Sequence, residues 1–129
     1  MERAPGRVEA FTRWVTAFGD AWEAADAAAL GALFTVGATF APTPFDELVR
    51  GRRAIVAHFS GFLPDFPEAS FAAQVLGAGD TYGVAYWRVA SGDRALDGVL
   101  VAALDDRGRC ESLRQWWHMT PGVDKPISD

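Results

Sequence analysis

The sequence predicts an α+β domain, and three observations predict it. Apolar residues recur at helical spacing only in the first half, up to residue 63. From residue 71 to 118 the chain reads as strand-like runs separated by turn residues. Hydrophobic residues make up 50% of a chain of 129, enough for one core and one domain. Helices first and strands after predict an antiparallel meander with the helices packed on one face of a curved sheet.

The first helix is expected over residues 7–24. Val8, Phe11, Val15, Phe18 and Trp22 fall three and four apart and form its buried stripe, with Trp14 beside it. Asp26 suits the N-cap of a second, short helix, whose buried face is Leu30, Leu33 and Phe34 and whose stop is Gly37. Residues 38–41 read as a short strand, broken by Pro42 and Pro44, and the loop that follows carries Asp46 and Glu47 to Gly51. The third helix spans residues 52–63, with Ile55, Val56, Phe59, Phe62 and Leu63 apolar, and Pro64 and Pro67 end it. Strands follow at 71–76, 82–89, 96–104 and 110–118, with a hairpin turn at Ser91, Gly92 and Asp93. The domain is expected to occupy residues 1–119, and residues 120–129, with two prolines and no periodicity, a tail.

Composition excludes several classes. A net charge of −5 without a basic stripe argues against a nucleic-acid partner. No apolar run approaches the ~20 residues of a membrane helix, and no leader is visible, so no membrane partner and a cytoplasmic location are expected. Cys110 is the only cysteine, and no His/Cys cluster has zinc spacing, so no metal and no cofactor are expected. Five tryptophans and nine phenylalanines suit a core, and equally a pocket for a small hydrophobic molecule.

Residues spread over nearly the whole chain carry a resemblance. They are Trp22 and Asp26, Leu33-Phe34, Ala38-Thr39-Phe40, Pro44-Phe45, Gly51-Arg52, Ile55, and the turn Asp106-Arg107-Gly108-Arg109 before an aromatic strand. Together they resemble the nuclear transport factor 2-like superfamily, the cone fold of SnoaL-like polyketide cyclases, ketosteroid isomerase and limonene epoxide hydrolase. The resemblance implies a cone-shaped, antiparallel-rich sheet with three N-terminal helices on its concave face. It does not imply one reaction, because this fold hosts many sites.

The family's chemistries can be placed on this chain. The isomerase base falls at Pro42, its oxyanion-stabilising tyrosine at Phe18 and its second acid at Leu100, and two supporting phenols fall at Phe34 and Phe59. None can do that work. The hydrolase's acid on the last strand falls at Gln115, an amide with no basicity near neutral pH. Its arginine falls at Arg88 and the adjoining acid at Ala90. The same placement turns Leu96, Gly98, Leu100 and Ala102 inward on one strand, Leu113, Gln115 and Trp117 on the next, and Gly83, Ala85 and Trp87 on the preceding one. Phe18, Phe34, Pro42, Phe59, Trp87, Leu100, Gln115 and Trp117 are thus the expected substrate-binding set.

His58 is the candidate catalytic residue. It lies about 60° from Ile55 and about 100° from Phe59 on a helical wheel, at the flank of the apolar face. An imidazole with an ordinary pKa near ~6.5 serves as acid or base. A rim histidine with a water partner is the plainer reading. Asp46 and Glu47 read as a solvated loop or as partners of His58, with Arg52 and Arg53 the simplest ion-pair partners. Arg88 and Asp97 are expected to pair across strands. Cys110 has no neighbouring histidine, which argues against a nucleophile. The outward residues Val99, Val101, Arg114, Trp116 and His118 form the expected interface of a homodimer, as relatives of this fold commonly pair through that surface.

The sequence supports two functions. One is an isomerase, cyclase, lyase or hydrolase acting on a hydrophobic substrate; the alternative is a non-catalytic ligand-binding or dimeric interaction module.

Overall fold

Helix α1 (Arg7–Glu23) forms where the periodicity places it. In the computed structural model, which describes residues 7–120, it buries Phe11, Trp14, Val15, Phe18 and Trp22. Val8 departs from the expected stripe and stays 48% exposed, because the helix's core contacts begin at Phe11. Trp14 sits inside the core, its indole N–H donating to the Leu33 carbonyl at 3.0 Å. Asp26 caps α2 (Ala27–Gly31) by accepting from the Ala29 N–H at 3.0 Å.

The next segment departs from expectation. Phe34 and Gly37 are not the buried face and stop of the second helix; both lie in strand β1 (Phe34–Ala41). The cause is long-range. The Cys110 N–H donates to the Leu33 carbonyl at 2.8 Å, and Phe34 pairs with Cys110. That ladder draws the chain out of helical geometry, and local spacing cannot show it. A two-residue strand, β2 (Val49–Arg50), closes the loop, and α3 (Arg52–Phe62) follows, ending in a 3-10 turn at Leu63–Asp65.

The remaining strands are β3 (Ser70–Ala78), β4 (Tyr82–Ser91), β5 (Arg94–Leu104) and β6 (Cys110–Thr120). The sheet runs β2-β1-β6-β5-β4-β3. Every neighbouring pair is antiparallel except β1 and β6, which run parallel. The sheet is curved and unclosed, with the helices against its concave face. Gly92 (φ 60) and Gly108 (φ 82) supply the left-handed turns of the β4–β5 and β5–β6 hairpins. Of the expected tail, Thr120 ends β6, and residues 121–129 lie outside the described residues.

The sheet's parity is as expected. Gly83, Ala85, Trp87, Leu96, Leu100, Ala102, Leu113 and Gln115 are buried, while Arg114, Trp116 and His118 are exposed. Two expected ion pairs are replaced. Arg88 lies opposite Asp97 in register, but Asp97 accepts from the Tyr86 hydroxyl at 3.0 Å and lies 3.7 Å from His118. Arg52 turns from Asp46 and Glu47 to the Phe34 carbonyl, which it grips through Nε (3.1 Å) and Nη2 (2.7 Å). A neighbouring carbonyl held in place by a strand is a fixed acceptor, whereas a loop carboxylate stays hydrated.

Candidate functional site around His58

Residue spacing on α3 puts His58 one turn before Phe62, and β1 brings Phe40 against His58 and Phe59. The imidazole meets Phe40 edge-on at 5.2 Å, Phe59 edge-on at 5.5 Å, and stacks on Phe62 at 5.9 Å. It is half-buried. Burial among these rings penalises the imidazolium and lowers the His58 pKa from 6.5, while the Asp46 carboxylate pulls it back up. Desolvation wins, so His58 is a neutral imidazole at pH 7.

The cluster extends along one rim of the sheet. Phe62 packs on Trp117 at 6.3 Å, and the Trp117 indole N–H donates to the Pro42 carbonyl at 2.8 Å. The structure thus brings His58, Phe59, Pro42 and Trp117 together. Gln115 lies one inward position before Trp117, opposite Leu100, and is 7% exposed.

The rest of the expected set lies deeper. Phe18, Phe34 and Leu100 are 0% exposed and Phe59 2%. Phe18 stacks on Trp14 at 5.0 Å and meets Phe59 edge-on at 6.2 Å. Phe18, Phe34, Phe59 and Leu100 all belong to one buried hydrophobic cluster. Trp87 is 2% exposed and stacks with Phe71 at 6.5 Å, and its indole N–H has no hydrogen-bond partner among the described residues.

Sequence reasoning did not anticipate the box formed by Phe40 and Phe62. The His58–Phe62 spacing of four on one helix was a usable signal for half of it. The Phe40 contact depends on how β1 meets α3, which no local pattern shows. Nor was the Arg94 guanidinium foreseen over the Phe66 ring, at 4.7 Å.

The Cys110 thiol is chemically quiet. Burial pushes the Cys110 thiol up to about 12, and its S–H donates to the Ser112 carbonyl at 3.2 Å, so it is no nucleophile at neutral pH. No group of three or more potential metal ligands occurs among the described residues. No helix there is long and apolar enough to cross a membrane. A cleft of about 460 Å³ opens at the other end of α1, between Phe11, Trp14, Tyr82 and the β5–β6 turn. It contains none of the residues placed by the family's chemistries apart from the inward Gly83.

Comparison with known proteins follows the same line. Among solved structures, the chain is similar to SalBIII, described as an epoxide hydrolase/cyclase-like enzyme with a role in pyran ring formation in the polyether salinomycin. The identity is 19%, the TM-score 0.74, and the match covers 87% of this chain and 94% of that one. At that identity the likeness establishes the fold. No curated protein matches significantly. The family model for the SnoaL-like domain matches residues 15–120, which span the helices, the whole sheet and the His58 cluster, and the chain belongs to this SnoaL-like family.

Proposed function

We propose that this protein binds a small hydrophobic molecule at the His58 rim and acts on it as an isomerase, cyclase, lyase or hydrolase, with His58 as the acid–base group. The observation that carries this reading is the half-buried imidazole held among Phe40, Phe59 and Phe62 with its pKa lowered by burial. A neutral imidazole in an apolar box accepts a proton from a substrate at neutral pH. Gln115 supplies a neutral polar group for orienting that substrate, and Trp117 and Pro42 form the wall. Phe18, Phe34, Phe59, Trp87 and Leu100 form the packed apolar interior that backs this wall.

His58→Ala is expected to remove turnover while leaving the circular dichroism spectrum and the melting temperature close to wild type. Full activity in that variant sinks the role. The pH dependence has a fixed sign. Because the folded pKa lies below 6.5, the unfolded chain binds the proton more tightly. Protonating His58 therefore destabilises the fold. Its contribution is complete above pH 6.5 and declines as pH falls toward the lowered pKa. The acid limb of the rate profile should likewise lie below 6.5, and a limb above it would contradict the desolvated site.

The filled interior favours a second reading, a non-catalytic dimeric interaction module. Phe18, Phe34 and Leu100 leave no exposed surface inside the cone. A protein that takes up no apolar ligand, yet forms the same dimer in wild type and in His58→Ala, would select this reading.

We propose further that the protein is a homodimer through the outer sheet face. Trp116 is 43% exposed, opposite Val99, and Arg114 lies opposite Val101 and His118 opposite Asp97. A tryptophan on an exposed sheet face is the kind of group a partner covers. Trp116→Glu is expected to halve the mass in sedimentation equilibrium, and an unchanged mass would remove that face from consideration.

A further inference from the structure

Strand β3 is an edge of the sheet, nine residues with no charge and no proline. Antiparallel pairing turns the backbone groups of alternate residues away from the partner strand. The Phe71 N–H points away from β4, because it donates to the Glu23 carboxylate at 2.8 Å. Ala73 and Val75 share its parity, so their N–H and C=O groups face outward as well. Edges of this kind invite another strand and are normally guarded. Here the guards stand at the ends. Glu23 covers Phe71, and a bulge interrupts the pairing between Val75 and Gly77. Ala73 lies open between them, with Ala72, Gln74 and Leu76 exposed alongside.

A groove of about 380 Å³ runs beside this opening, between α1 and β3. Val15, Gly19, Phe71 and Val75 give it an apolar floor, and Thr12 and Thr16 form the helix side. Asp20 and Glu23 stand at the end nearest Phe71, on the last turns of α1, where the helix dipole is also negative. Outward backbone groups on a strand, a parallel apolar groove and an acidic end together make a receptor for an extended chain.

We propose that the β3 edge and the α1–β3 groove bind an extended peptide segment of another protein. The peptide adds a strand through Ala73 and Val75, places alternate apolar side chains in the groove, and sets a basic residue against Asp20 and Glu23. The site is distinct from the His58 rim and does not depend on what happens there.

The test uses the full chain and an acetylated heptapeptide of alternating threonine and valine with a terminal lysine. Amide hydrogen exchange at Ala73 and Val75 should slow about tenfold at saturating peptide. The same peptide N-methylated at alternate residues should have no effect, and replacing its lysine with glutamate should weaken binding several-fold. Thr16→Trp, which fills the groove from the exposed face of α1, should abolish protection without altering the fold. Unchanged exchange at millimolar peptide overturns the proposal, as does equal binding of the N-methylated form. Slow exchange at Ala73 in the peptide-free protein, together with a dimer that persists in Trp116→Glu, would assign the edge to a second copy and overturn it as well.

Discussion

Gly98→Ala is expected to lower stability by at least about 2 kcal/mol, and to do so by separating β5 from β6 rather than by filling space. Gly98 sits between Trp87 and Trp117 in register, and a Cβ there would run into the Trp116 carbonyl oxygen and the Trp117 backbone. Those atoms belong to the strand itself and cannot swing aside as a side chain does. The ladder that holds Trp117 under Pro42 would have to open. Urea denaturation measures the loss, and near-ultraviolet circular dichroism reports the displaced indoles. Gly37→Ala is the control. It also lies in a strand, but a Cβ there meets nothing within 4 Å. Its change should stay within about 0.5 kcal/mol. Equal effects at the two positions would refute the close-approach argument.

Phe18→Ala should cost about 3–5 kcal/mol, the range for deleting a fully enclosed ring. Phe18 touches Trp14, Phe59 and Phe71 at centroid distances of 5.0, 6.2 and 5.8 Å, so the hole cannot close by moving one neighbour. Phe18→Tyr is the more telling variant. It restores the phenol that the resemblance to ketosteroid isomerase places at this position. In an interior of phenyl rings that hydroxyl finds no acceptor, and burying it unpaired should cost about 1–3 kcal/mol. Thermal unfolding distinguishes the outcomes. If Phe18→Tyr melts with the wild type, the interior has room and a partner for a polar group, and the interaction-module reading loses its support.

Much of the fold was legible because it rests on local rules. The stripe through Phe11, Val15, Phe18 and Trp22, the Asp26 cap and the Gly92 turn each declare themselves within a few residues. Sheet parity was legible because one face is buried. Once Leu113 is inward, Gln115 and Trp117 follow. The strand that takes in Phe34 and Gly37 escaped local reading because its central partner is distant, with Phe34 pairing some 76 positions away at Cys110. The charged groups were the least legible. Arg52 and Asp97 each had a plausible partner of opposite sign nearby, and each instead met a neutral group, a carbonyl and a phenol, held in place by the sheet. Of the candidate site, the helical spacing exposed His58. The rings that set its chemistry come from both α3 and β1, and only the assembled fold brings Phe40 to it.

The parallel pairing of β1 with β6 has a consequence for how the molecule is made. The Trp117 indole and the Pro42 carbonyl it binds are 75 residues apart. A chain emerging from the ribosome can complete α1, α2 and α3, and then the β3–β4 hairpin, before the strand that joins the two halves of the sheet has been synthesised. Until β6 inserts, β1 has no central neighbour and β5 has an open side, and the His58 rim has no Trp117. Such non-local closure comes late and slowly, so the nascent protein passes through a stage with two unpaired strand edges before the His58 rim is complete.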